Sequence, residues 1–213
     1  MSKSTLDLIR IGAMLGAGLI AMPLLAQTAP ERGVFVTQIG DGSRATVSQQ
    51  NSESLARVVQ NGDDNQVELA QNGNAPHRAQ IAQDGDGNIA TIAQDGDGST
   101  ELTLVQDGNG NNADILQRET SIAERTGANI LQRGDGNSII LAQNGSDNSA
   151  SLDQQGDNNT MTASQLDNGN RLAWSQIGDG LADMRVVQEG GANLEITQSN
   201  IGAQFAPPPG SGG

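Results

Sequence analysis

Gln83-Asp-Gly85-Asp-Gly-Asn88-Ile-Ala90-Thr-Ile92-Ala-Gln94 contains the rule by which most of this chain is written. A Gln opens the unit, a Gly follows two residues later, and an Asn follows three after that. Two apolar residues then lead to the next Gln. Moving outward in both directions, the Gln returns at Gln38, Gln49, Gln60, Gln71, Gln83, Gln94, Gln106, Gln117, Gln132, Gln143, Gln154, Gln165, Gln176, Gln188 and Gln198. The beat is eleven residues with slips of one, and it is broken once, by fifteen residues between Gln117 and Gln132. A fixed period sustained this long marks a repeat architecture, each unit being too small to bury a core alone.

The offsets before each Gln decide the local structure. Two residues before, the side chain is apolar throughout, from Val36 and Val47 to Val186 and Ile196. Four residues before it is apolar again, from Val34 and Ala45 to Met184 and Leu194. Six residues before, Ser, Thr or Asn dominates, and the exceptions are Arg32, His77, Ala182 and Ala192. Even offsets share one face of a strand, whereas a helix would scatter them around its circumference. Each unit is therefore a short strand with two apolar residues and a Gln facing inward. The offset of three is mostly polar (Thr46, Arg57, Glu68, Gln80, Thr91) and faces solvent.

Glycine two residues after the Gln, as at Gly62, Gly85, Gly96, Gly108, Gly145 and Gly156, supplies the turn between strands, where a positive φ is needed. Pro76, the one proline inside the repeats, falls in a turn and interrupts no strand.

Pairing successive units gives a rung of about 22 residues. The expected fold is all-β: a β-solenoid of about seven 22-residue two-strand rungs, with two facing parallel sheets, amyloid-like in its stacking. Alternate glutamines stack in one sheet and the remainder in the other. A buried amide is costly without a hydrogen bond, and a register that repeats lets each one bond its neighbours above and below. The candidate functional residues are this stacking ladder: the fifteen glutamines, with Asn65, Asn88, Asn111, Asn137, Asn148, Asn159 and Asn170. The long beat, within Arg118-Glu-Thr-Ser-Ile-Ala-Glu-Arg-Thr-Gly127, is expected to project as a loop, with Glu119 where the turn Gly belongs. The competing reading has Ile122 and Ala123 plugging the core.

The chain divides into residues 1–26, 27–33, 34–200 and 201–213. Residues 1–26, with Lys3 and Arg10 before an apolar run from Ile11 to Leu25, are expected to be a secretory signal cleaved after Ala26. The alternative is a membrane anchor, for which the run is short against a span of about 20 residues. Residues 201–213 form a Pro- and Gly-rich tail. Past residue 26 there are nine arginines, no lysine and 24 carboxylates, a net charge of −15. That balance disfavours nucleic acid as a partner and favours solubility before assembly. With no cysteine, no disulfide framework exists.

Chemistry finds little purchase. Asp-Gly-Asp-Gly turns resemble those of calcium-binding β-rolls, but those repeats run every nine residues with Asp at fixed sites, whereas here the carboxylates scatter. A calcium-binding β-roll stays as the alternative function. The single His, His77, sits where other units carry Ser or Asn and is expected to be a substituted ladder residue. One His and no Cys make a zinc site or a His-based triad untenable. A carbohydrate-active solenoid with paired Asp residues stays as a third reading and would need a clustered polar groove, although such enzymes use wide rungs and long loops, which this chain lacks. Trp174 occupies a core offset. No catalytic residue, metal ligand or cofactor site is assigned.

The pattern Ser-x5-Gln-x-Gly-x2-Asn-x-Ala-x3-Gln is that of the curlin repeat, and the chain resembles that family. Gln83-x-Gly85-x2-Asn88-x-Ala90-x3-Gln94, Gln106-Gly108-Asn111-Ala113-Gln117 and Gln143-Gly145-Asn148-Ala150-Gln154 carry its core. Ser54-x5-Gln60-x-Gly62-x2-Asn65 carries it with Val67 in place of Ala. The resemblance extends over about residues 32–200. It implies a subunit, major or minor, of curli, the bacterial amyloid fimbria of cell adhesion and biofilm matrix. It also implies self-association, a partner curlin subunit, export through an outer-membrane pore and a secreted, extracellular location at the cell surface. Enteric members place a sizeable targeting segment before the first repeat; only Gln27 to Gly33 stand there in this sequence.

Overall fold

The computed structural model describes residues 9–12 and 32–201. Among these residues the regular structure is all β, in sixteen strands. They are β1 Ile9–Gly12, β2 Gly33–Ile39, β3 Arg44–Gln49, β4 Leu55–Asn61, β5 Gln66–Gly73, β6 Arg78–Asp84, β7 Ile89–Gly96 and β8 Ser99–Asp107. The series continues with β9 Asn112–Glu119, β10 Arg125–Arg133, β11 Ser138–Gly145, β12 Ser149–Gln155, β13 Thr160–Leu166, β14 Arg171–Ile177, β15 Val186–Glu189 and β16 Asn193–Ser199.

From β2 onward each repeat is one strand, and strands alternate between two sheets. One sheet has the order β1-β3-β5-β7-β9-β11-β13-β15 and the other β16-β14-β12-β10-β8-β6-β4-β2. Every pairing among β2 to β16 is parallel, and the fold is the two-sheet parallel β-solenoid that the eleven-residue beat requires. Gln60 aligns with Gln83 and Gln83 with Gln106; across the solenoid, Gln71 aligns with Gln94 and Gln94 with Gln117. A one-residue slip would turn every apolar side chain outward, so the alternating burial locks this register. Seven and a half rungs at about 4.8 Å give a body about 36 Å long.

The core is a thin apolar layer between the sheets. Val58, Ile81, Leu104, Ile130, Leu152 and Trp174 line one side; Val47, Leu69, Ile92, Ile115, Leu141 and Ala163 line the other. Parallel edges cannot be joined by tight hairpins, and here the turns between facing sheets make the crossovers. β1 is the one departure. It pairs antiparallel with the outer edge of β3, Ile9 opposite Val47, within the stretch read as a signal.

Met184, expected among the inward apolar residues, lies outside any strand and is about half exposed. The interval from Gln176 to Gln188 holds an extra residue, and Arg185 takes a positive φ of 48°, which breaks the extended chain before β15 begins. The expected loop at 118–127 is narrower than its sequence suggests. β9 runs through Glu119 and β10 starts at Arg125, so only Thr120–Glu124 leaves the ladder. Ile122 is 86% exposed, which rules out a core plug.

Candidate functional site

The strands place the fifteen glutamines in two columns that run the length of the solenoid. In the first, Nε2 of Gln38, Gln60, Gln83, Gln106, Gln132, Gln154 and Gln176 donates in turn to Oε1 of the Gln one rung on, ending at Gln198. The distances are 2.6, 2.8, 2.8, 3.0, 3.0, 2.9 and 2.9 Å. In the second, Gln49, Gln71, Gln94, Gln117, Gln143 and Gln165 donate in the same way, ending at Gln188, at 2.6, 2.7, 2.9, 2.9, 2.7 and 2.8 Å. All thirteen bonds point toward the C-terminus. From Gln60 to Gln176 the side chains are buried.

The second N–H of the amide has a use that the sequence spacing did not suggest. It crosses the core to a backbone carbonyl at the start of a strand in the facing sheet: Gln94 to Arg78 O at 2.9 Å, Gln83 to Gln66 O at 3.2 Å, Gln154 to Ser138 O at 3.2 Å. From Gln60 to Gln176 each ladder glutamine therefore ties its own sheet along the axis and rivets the two sheets together. The amide has two donors and an acceptor, so one side chain does both with nothing left unpaired.

The asparagines stack in register but bond differently. Oδ1 of Asn65, Asn88, Asn111 and Asn137 accepts the backbone N–H of the Asn one rung on, each at 3.0 Å, and Asn148 does so for Asn170. The Nδ2 of Asn65, Asn88, Asn137 and Asn159 instead reaches the turn carbonyls of Gly85, Gly108, Gly156 and Gly178. Asn148 reaches Asp167 O, while Asn111 and Asn170 turn back to the preceding Asn. These side chains hold the turn onto the strand. Asn, one methylene shorter than Gln, satisfies backbone groups close to its own Cα.

The turn glycines are held by backbone conformation and by crowding. Gly85 has φ 104°, and a Cβ on it would land on the carbonyl oxygen of Gly108 one rung away. Gly62, Gly96, Gly108, Gly145 and Gly156 have the same positive φ and the same close carbonyl. Two residues further on the demand is looser: Asp64 and Asn158 occupy that slot with φ 56°, where Gly87 stands in its own unit.

The turn carboxylates are occupied by backbone. Oδ1 of Asp63 accepts the N–H of Asp41 at 2.7 Å; Asp86, Asp157 and Asp179 accept those of Asp63, Asp135 and Asp157, each at 2.8 Å. Among the described residues no three His, Asp or Glu side chains converge to hold a metal ion.

His77 occupies the Asn column. Its Nε2 donates to Asn72 O at 2.8 Å, because a carbonyl can only accept, and its Nδ1 lies 3.0 Å from the Thr100 hydroxyl, which can donate to the neutral ring. Burial lowers its pKa below the ordinary 6.5, against upward pulls from the Asn72 carbonyl and the charge of Asp95.

Glu119 escaped sequence reading as anything but a missing glycine. It is fully buried, in register with Gly96 and Gly145. Its Oε1 accepts the N–H of Ser121 at 2.8 Å; its Oε2 accepts the Thr126 hydroxyl at 3.0 Å and the Asp147 N–H at 3.1 Å. The carboxylate replaces the tight turn by gathering donors from both ends of the excursion. Its only trace in the sequence is the coincidence of an acidic residue with the lengthened beat.

No curated protein and no solved structure matches the chain. The family model of the curlin associated repeat matches residues 127–156 and again 134–166. Those spans lie from β10 to β13, and the same Gln-to-Gln register continues on both sides of them. The chain carries curlin associated repeats over residues 127–166.

Proposed function

We propose that the chain is a secreted structural subunit that polymerises into curli-like extracellular amyloid fibres, serving adhesion and the biofilm matrix. The observation that carries this reading is the common polarity of the amide ladders. Among the described residues no donor reaches Oε1 of Gln38 or Gln49 at one end. At the other end Gln198 spends only one of its N–H groups, on Ala182 O at 3.1 Å. One end of the solenoid offers acceptors and the other a donor, and both end in strand edges that a further copy can extend. Such a head-to-tail contact does not close and grows a filament.

Residues 1–26 are the export leader in this reading. A second curlin subunit and an outer-membrane export pore are the partners that the family suggests. The net charge keeps the chain soluble before assembly, and no catalytic step is assigned.

The test is incubation of the purified chain with and without a calcium chelator. Fibres giving cross-β diffraction under both conditions are expected. A chain that folds only with calcium and stays monomeric without it would overturn the reading in favour of a calcium-dependent β-roll.

A further inference from the structure

Among the described residues the two sheets do not have the same number of parallel strands. Fifteen repeats alternate between them, which puts eight strands in the sheet from β2 to β16 and seven, β3 to β15, in the other. The solenoid therefore ends on a half rung. We propose that successive copies in the fibre are related by half a turn about its long axis, β15 pairing with β2 of the next copy and β16 with β3. This rests on the fibre reading and on removal of the leader.

Stacking without rotation would place β2 of the next copy on β16. The other sheet would then have a one-strand vacancy between β15 and the next β3, leaving their strands about 9.6 Å apart instead of about 4.8 Å. The backbone N–H and C=O groups on both sides of that gap would lie unpaired beside a buried core, which native structures avoid. Rotation removes the vacancy. It is permitted because successive repeats are equivalent units: a strand with the same inward offsets fits either sheet.

The junction then continues each column like on like. Gln188 meets Gln38, exchanging its 3.2 Å bond to Ala192 O for the ladder; Gln198 meets Gln49, Val186 meets Val36, and Ile196 meets Val47. Leu194, 38% exposed at the open end, covers the small Ala45. In the full chain Ile9–Gly12 lies along the edge of β3 that this junction requires. Removal of residues 1–26 frees that edge.

Cysteine pairs read the junction, since the chain has no cysteine of its own. Thr37, Val187 and Thr197 are all exposed and sit one residue before their glutamines. The half-turn places Thr37 beside Val187 of the neighbouring copy; an unrotated stack places it beside Thr197. Paired neighbours on adjacent strands come within the 4.4–6.8 Å Cα range of a disulfide. The full chain carrying T37C with V187C, or T37C with T197C, is exported from a bacterial host and also refolded from denaturant, with and without residues 1–26. The fibres are then oxidised.

The expected result is a ladder of covalent multimers for T37C/V187C, none for T37C/T197C, and a fibre repeat of about 72 Å, two subunits long. Cross-linking through T197C, or fibres with neither cross-link, overturns the half-turn and leaves the fibre reading intact. Absence of fibres from every form of the chain overturns both.

Discussion

Gln94 accepts from Gln71 at 2.7 Å and donates to Gln117 at 2.9 Å, while its other N–H reaches Arg78 O across the core at 2.9 Å. Among the described residues no outward glutamine has that set of partners. Gln94→Ala removes three bonds and leaves buried groups on Gln71, Gln117 and Arg78 short of a partner, a loss of about 1–3 kcal/mol or more. Gln80→Ala, on the exposed face, is expected within about 0.5 kcal/mol of the parent. Denaturant unfolding and fibre growth rates of the two variants check this; equal effects would contradict the inward role.

The excursion after β9 separates into a buried anchor and an exposed tip. Ile122→Ser is expected to be neutral, because that side chain is 86% exposed. Glu119→Ala removes the acceptor shared by Ser121, Thr126 and Asp147 and is expected to destabilise by about 1–3 kcal/mol. Deleting Thr120 to Ala123 restores the eleven-residue beat at small entropic cost, but it strips the Ser121 donor from Glu119. The same deletion combined with Glu119→Gly is expected to match or exceed the parent in fibre growth. Limited proteolysis near Gln117 reports any loosening; increased cleavage in the combined variant would mean the loop supports the fold.

His77 makes the fold sensitive to acid on one turn. Its folded pKa lies below the 6.5 of the unfolded chain, so the unfolded state binds the extra proton first. The stability it contributes is complete above about pH 6.5 and declines as pH falls below that value. His77→Asn restores the residue type of the column and is expected to flatten the pH dependence of unfolding between pH 7 and 5. An unchanged slope would place the acid sensitivity elsewhere.

Assembly rate should move oppositely to that local effect. Asp41, Asp63, Asp86, Asp135, Asp157 and Asp179 stand along one turn edge, and the charge of −15 past residue 26 opposes docking of copies. Lowering pH toward the sequence pI of 4.2 should shorten the lag of fibre growth, and at neutral pH added salt should do the same by screening. Lag times that stay flat across pH and salt would contradict this.

Gly85→Ala and Gly87→Asn separate the two kinds of turn glycine. The first puts a Cβ against Gly108 O at φ 104° and should halt stacking at that rung. The second meets open space at φ 65° and takes a residue that Asn158 already shows to be tolerated, so near-parental stability is expected in thermal unfolding.

The sequence by itself determined the repeat, the strands, the inward face and the pairing of alternate glutamines. These follow from parity and period, which are one-dimensional properties: once Gln, Val and Ala share a face every eleven residues, only a stacked two-sheet solenoid buries them. Tertiary structure decided what depends on approach between units that the spacing does not order. The bond from Gln94 to the carbonyl of Arg78 needs the width of the core. The turn-fastening role of Asn65 and its equivalents needs the path of the next rung. The burial of Glu119 needs Thr126 and Asp147 to converge from two strands. The displacement of Met184 follows from one positive φ at Arg185, a choice of backbone that an extra residue permits but does not dictate.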